Sequence, residues 1–290
     1  MQFAVNIVVL ASLYALIACG YVLIYRVSRV LNLAHGELMM LGAYLLFTVA
    51  SSVSPSPAIA VAAALLLSLA VGVLVYLALM RWMTGNSVLA AVLLTLALGI
   101  ALRGLMILIW TGQPRNPAVV LHIVNPTIEI VPHGRVSLLS LLLVLTNAAV
   151  YGGLFALLRF SRWGVRMRAA GQNPLLAAQR GINLHGVYAM AWGVSTLTAA
   201  MAGILMSLDT GLESTMLTVG LKAFPAALVG GLDSLFGTLI GALIVAAAEV
   251  FLIQDVDPLL SDVVPFIVLL AMLIVRPWGL FGTREELDRV

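Results

Sequence analysis

Five ionisable side chains lie inside long apolar runs, where a charge is expensive and its presence asks for a reason. His35 and Glu37 open the second run, and Arg103 and Glu249 lie within two others. Lys222, the single lysine, falls in a run broken by glycines and by Pro225. Half-helix N-termini and a cation would suit an anionic group of a solute, and carbonyl oxygens or a carboxylate a cationic one. Asn32, His35, Glu37 and Lys222 are therefore the candidate residues of a solute path. Each also has a plainer reading. His35 and Glu37 could cap a half-helix near a membrane interface, Lys222 could snorkel or pair structurally, and Arg103 and Glu249 could form one internal salt bridge.

Other chemistries find little support. The histidines His35, His122, His133 and His185 are scattered without metal-ligand spacing, and no nucleophile–base grouping stands out, so neither a metal site nor a catalytic constellation is expected. A P-loop needs a lysine after glycine to reach the phosphates, yet the only lysine is in an apolar run and no GxxxxGK occurs. The chain should carry no cofactor, and any ATP should be bound by another subunit. No basic block suggests nucleic acid. Cys19 alone cannot form an internal disulfide.

The elements that must position these residues are membrane helices. Hydrophobic residues make up 62% of the chain and charged ones 9%, and mean hydropathy is +1.13. Apolar runs of helical spanning length cover approximately 3–25, 33–50, 57–80, 88–111, 137–158, 187–208, 233–253 and 259–276, with a weaker ninth at 211–232. They lack the alternation of a membrane barrel. The expected fold is all-α, a polytopic membrane protein of about eight to nine transmembrane helices, with residues 1–290 as one transmembrane domain. The N-terminus has no basic stretch and no cleavage site, so it reads as a retained first helix.

Arginines orient the chain. Arg159, Arg162, Arg166, Arg168 and Arg180 fall in the stretch of about 159–186, which has no acidic residue and should be cytoplasmic. Counting helices from there puts Arg26, Arg29 and Arg81 inside, the loop of about 112–136 outside and the loop holding Asp255, Asp257 and Asp262 outside. The N-terminus is then outside, and Arg276, Arg284 and Arg289 place the C-terminus in the cytoplasm. This count requires 211–232 to cross. The loop 112–136 either faces another protein or caps the helices, and capping is the preferred reading.

Two interrupted segments occupy corresponding places in oppositely oriented halves: Asn32-Leu33-Ala34-His35-Gly36-Glu37 and Gly220-Leu221-Lys222-Ala223-Phe224-Pro225. They suggest an inverted repeat with broken helices and a solute path near the bilayer midplane. Small residues recur at every fourth position (Ser195, Ala199, Gly203 and Ser207; Gly230, Ser234, Thr238, Ala242 and Ala246), as close internal helix packing would require.

The basic loop contains a short helix with defined ends. Following Gln172, Asn173 is a good N-cap, Pro174 suits the first helical position, and Gly181 suits the position that ends a helix. Between them, Ala177 and Ala178 belong to an apolar side. Such a helix either docks in a protein groove or lies on the bilayer surface.

The chain resembles the permease subunits of branched-chain amino acid ABC transporters of the Liv type over nearly its whole length. The resemblance is carried by Ser12-Leu13-Tyr14-Ala15-Leu16-Ile17-Ala18-Cys19-Gly20-Tyr21, Leu31-Asn32-Leu33-Ala34-His35-Gly36-Glu37, Gly181-Ile182-Asn183, Gly220-Leu221-Lys222-Ala223-Phe224, Gly230-Gly231-Leu232 and Arg276-Pro277-Trp278-Gly279-Leu280-Phe281-Gly282. The second and fourth blocks are closer to the shorter of the two permeases usual in such systems, and urea and amide permeases are similar. The resemblance implies a bacterial inner-membrane importer subunit working by alternating access. It implies ABC ATPase subunits that bind ATP, a second permease and an external solute-binding protein as partners. Gln172, Asn173, Pro174, Ala177, Ala178 and Gly181 would then form the ATPase coupling loop. An ion-coupled secondary transporter, with His35, Glu37 and Lys222 as a relay, is the rival reading.

Overall fold

The computed structural model describes residues 1–83, 87–132, 134–255 and 257–283. His133, Arg284 and Arg289 lie outside the described residues. Helices follow the apolar runs: α1 (Gln2–Ser28), α2 (His35–Ser52), α3 (Pro57–Ala78) and α4 (Val88–Trp110) come first. The short α5 (Pro117–Val120) and the antiparallel strands β1 (Thr127–Val131) and β2 (Gly134–Ser137) follow. After them come α6 (Leu138–Phe160), α7 (Arg162–Gln172), α8 (Pro174–Gln179), α9 (Leu184–Thr210), α10 (Met216–Gly230), α11 (Leu235–Asp255) and α12 (Val264–Val275).

By length and composition, α1, α3, α4, α6, α9 and α11 can each cross a membrane. The shorter α10 and α12 are also apolar, and α2 begins with polar residues. Local capping explains several boundaries. Ser87, Ser137 and Asn183 each accept a backbone N–H from the first turn of the helix they precede. Within the bilayer these helices satisfy their own backbone groups.

Hydrogen bonds at the helix ends define two faces. On one, Arg29 pairs with Asp233 at 2.8 Å and donates to the Gly171 carbonyl, while Tyr76 at the end of α3 meets His185 at the start of α9. On the other, Asp209 at the end of α9 accepts from Asn125, Ser137 and Ser140, and Gln2 bonds the backbone of Arg135. Among the described residues, six apolar helices are long enough to run between these faces, and α2, α10 and α12 pack among them. The uncertain ninth segment extends from one face toward the other: Leu212 pairs with Arg115 on the second face, and Gly230 lies beside Gly237 near the first. Its break is not at Pro225, which sits within α10. The chain is instead non-helical at 211–215.

Neighbour relations repeat between the two halves. α2 packs on α3 and α4, as α10 packs on α11 and α12, and α3 packs on α9 as α11 packs on α1. Matching α1–α4 with α9–α12 reverses the direction of travel between faces. This is the geometry of an inverted repeat. α1 and α9 form the centre, and most of their residues are buried. The small residues of α9 serve this internal packing. A Cβ at Gly203 would lie 2.2 Å from the Met39 carbonyl oxygen.

Two features depart from the sequence expectations. The fold is all-α as expected, but the loop 112–136 contains a small two-stranded hairpin; the strand Thr127–Val131 is rich in the β-branched residues that favour pairing. The basic stretch also holds a second helix, α7, whose Gly164, Met167, Ala170 and Gly171 are buried at helical spacing.

Candidate functional site

The candidate residues gather where two half-helices meet. After α1 ends at Arg29, which takes a left-handed φ of 57°, the chain returns without regular structure toward the middle of the bundle. Thr95 on α4 holds this stretch: its Oγ1 accepts from the Leu33 N–H and shares its one proton between the Val92 carbonyl at 2.8 Å and the Leu31 carbonyl at 3.2 Å. Asn32 Oδ1 then accepts from the Ala34 N–H, and α2 starts. The return leaves α2 beginning deep in the molecule. His35 is wholly buried, with Nε2 3.1 Å from the carbonyl of Ile17, in the middle of α1. His35 and Glu37 therefore do not sit at a membrane interface.

α10 starts from the opposite face and meets this turn. A Cβ at Gly220 would lie 2.6 Å from the Gly36 Cα, so the two backbones touch only because neither residue has a side chain. Tyr21 joins the junction: its ring contacts those of His35 and Phe224, and its hydroxyl donates to the Gly220 carbonyl at 3.3 Å. Packing around His35 is equally close, since a Cβ at Gly20 would lie 2.5 Å from its ring.

Several polar atoms here are left without partners. Asn32 Nδ2, His35 Nδ1 and Glu37 Oε2 are buried and make no hydrogen bond among the described residues. The Ile17 carbonyl can only accept, so Nε2 of His35 carries the proton and Nδ1 is a bare acceptor. Glu37 is half-buried, and its carboxylate packs at about van der Waals distance from Gly99, the midpoint of α4.

Lys222 is not part of this group. It lies about 200° round α10 from Gly220, at 100° per residue, and faces α11. Its Nζ donates to Glu249 Oε1 at 2.9 Å and to Asp262 Oδ1 at 2.7 Å. The second Glu249 oxygen accepts from the Tyr14 hydroxyl at 2.5 Å. The expected Arg103–Glu249 salt bridge does not form; Glu249 is taken by Lys222, and Arg103 is exposed on α4. Tyr14, Tyr21 and Asp262 were not singled out from the sequence. The only available signal was the seven-residue spacing of the tyrosines on one helix face of α1.

The basic loop is an elbow of two helices. Gln172 ends α7, and Asn173 caps α8 by accepting from the Leu176 N–H at 3.0 Å. Pro174 opens α8, and Gly181 ends the turn with φ of +79°. The Ile182 N–H closes back on the Ala177 carbonyl. Ala177 is buried, whereas Ala178 is exposed and Leu175 and Leu176 are 69% and 56% exposed. Ala178, Pro174 and Leu175 also border a groove of about 390 Å³ shared with Tyr76, Met80 and Tyr188.

Comparison with known proteins gives this arrangement a family. A family model described as the permease component of the branched-chain amino acid transport system matches residues 3–273. The chain is 30% identical to the high-affinity branched-chain amino acid transport system permease protein LivH of Escherichia coli K12, covering 98% of this chain and 96% of that one. It is 28% identical to the corresponding permease protein BraD of Pseudomonas aeruginosa, over 100% of this chain and 98% of the relative. This chain belongs to the branched-chain amino acid transport system permease family.

Proposed function

We propose that this chain is the membrane-spanning permease of an ATP-driven importer for branched-chain aliphatic amino acids, working by alternating access in a bacterial inner membrane. The observation that carries the energy-coupling half of this reading is α8. It is a capped helix on the arginine-bearing face that presents Leu175 and Leu176 outward. A helix this short gains its stability from packing, so exposed leucines on it ask for a groove in another protein. The occupant proposed is an ABC ATPase subunit, which binds and hydrolyses the ATP. An ion-coupled carrier has no use for such an element.

Arg29, Arg81, Arg159–Arg180 and Arg276 share one face, which the positive-inside rule makes cytoplasmic. The N-terminus is then outside and the C-terminus inside. A second permease completes the transmembrane unit, and an external binding protein delivers the solute. Substrate class comes from the relatives' names, with urea- and amide-type solutes as the alternative.

Reconstitution tests the whole reading. Proteoliposomes holding this chain, a second permease and the ATPases should take up labelled leucine when binding protein is outside and ATP inside. Leucine should compete and urea should not. The purified chain alone should hydrolyse no ATP. Uptake driven by a proton gradient without ATP would overturn the importer reading.

A further inference from the structure

The Glu37 carboxylate lies at the midpoint of a helix that is otherwise mostly exposed. Only Ala91, Thr95, Gly99 and Met106 of α4 are buried. At 100° per residue, Arg103 lies about 40° from Gly99, and Leu96 and Ile100 lie about 60° and 100° away on the same flank. Ala91, Thr95 and Met106 turn the other way. Gly99 therefore marks the edge of the α2–α4 contact, and Glu37 emerges there beside that flank.

The flank combines three kinds of surface. Glu37 Oε2 has no hydrogen-bond partner, and Arg103, one turn along α4 from the Gly99 that Glu37 packs on, forms no salt bridge among the described residues. Leu96 and Ile100 are 45% and 68% exposed. Two opposite charges that stop short of pairing, at mid-bilayer depth, are unfavourable against lipid tails, so this flank must face protein or an aqueous path. A carboxylate, a guanidinium about one helical turn away and an aliphatic floor are complementary to one chemical class: an ammonium group, a carboxylate and a branched alkyl chain on a single small molecule.

We propose that Glu37 and Arg103 are the two poles of a subsite for a zwitterionic aliphatic amino acid on the α2–α4 flank, with its ammonium group on Glu37, its carboxylate on Arg103 and its side chain over Leu96 and Ile100. The subsite rests on the transport reading above. It lies away from Lys222, whose charge is already engaged by Glu249 and Asp262.

The test pairs each residue with the ligand group it serves. The assembled permease–ATPase complex, without binding protein, is titrated with leucine, with isocaproate (leucine without its ammonium group) and with isopentylamine (leucine without its carboxylate). Glu37→Gln should weaken leucine binding by about tenfold to a hundredfold, as the loss of a charge-assisted contact implies. The same variant should leave isocaproate binding unchanged. Arg103→Gln should weaken leucine and isocaproate and leave isopentylamine unchanged. Glu37→Asp, which keeps the charge, should recover part of the leucine affinity. Equal losses for all three ligands, or unchanged leucine affinity in both Gln variants, would overturn the subsite. Leucine uptake by the wild-type transporter is measured in parallel. Uptake without saturable binding to the complex, or without the paired pattern, overturns the subsite alone. Absence of uptake overturns the transport reading and the subsite with it.

Discussion

Replacing Lys222 by methionine keeps most of the side-chain stem and deletes the ammonium group. Glu249, whose side chain is 4% exposed, then loses its 2.9 Å partner and retains only the Tyr14 hydroxyl. Breaking a buried ion pair from one side costs about 3–5 kcal/mol, because the remaining charge is stranded. Asp262 contributes far less. Its side chain is 72% exposed, and an exposed pair is worth about 0–1 kcal/mol. The variants should therefore rank in a definite order. Lys222→Met should lower the unfolding midpoint in detergent by roughly 10 °C. Asp262→Asn should shift it by no more than about 3 °C. Adding Glu249→Gln to Lys222→Met removes the stranded charge and should restore more than half of the loss. Cys19 is wholly buried, so a thiol-reactive fluorophore reads the transition directly. A double variant as unstable as Lys222→Met, or an Asp262→Asn variant as damaged, would refute the assignment of Glu249 as the stranded partner.

Gly220→Leu should separate the two half-helices, since even a Cβ would lie 2.6 Å from the Gly36 backbone, and uptake should fall more steeply than stability, which overpacking lowers by about 1–3 kcal/mol; normal uptake would show that the contact is dispensable. Ala178→Arg should insert normally but lose ATPase co-purification and uptake, and retention of both would leave α8 as a membrane-surface helix. Gly181→Val should destabilise the same elbow, because φ of +79° is strained for a β-branched residue; unchanged coupling in this variant would mean that the helix end is not needed. With Cys19 replaced, cysteines at Arg166 and Asp257 should be labelled by impermeant reagents from opposite sides, and labelling from one side would contradict the nine-crossing path.

Residue types and their order determined the class of the molecule. Apolar runs of spanning length marked the bundle, and the structure places a helix on every one of them. Asn173, Pro174 and Gly181 announced α8 because capping is local chemistry, readable within a few residues. The first break was legible for the same reason, since polar residues interrupt the apolar pattern before α2, but the second was misplaced: the segment 220–225 is helical and the chain breaks at 211–215 instead. Partnership was not legible. Sequence placed Glu249 with Arg103, yet 27 residues separate it from its actual partner Lys222 and 235 from Tyr14. Nothing local encodes which charged groups meet across helices, because that depends on how each helix is rotated and which neighbours it packs against. Depth had the same origin. The motif around His35 read either as a solute-path segment or as a cap at an interface, and only the return held by Thr95 carries it to the middle of α1. Contact between Gly36 and Gly220 likewise exists only when the two halves interlock. Helix ends are written in short-range hydrogen bonding and steric preference, whereas ion pairs and path depth arise from long-range packing.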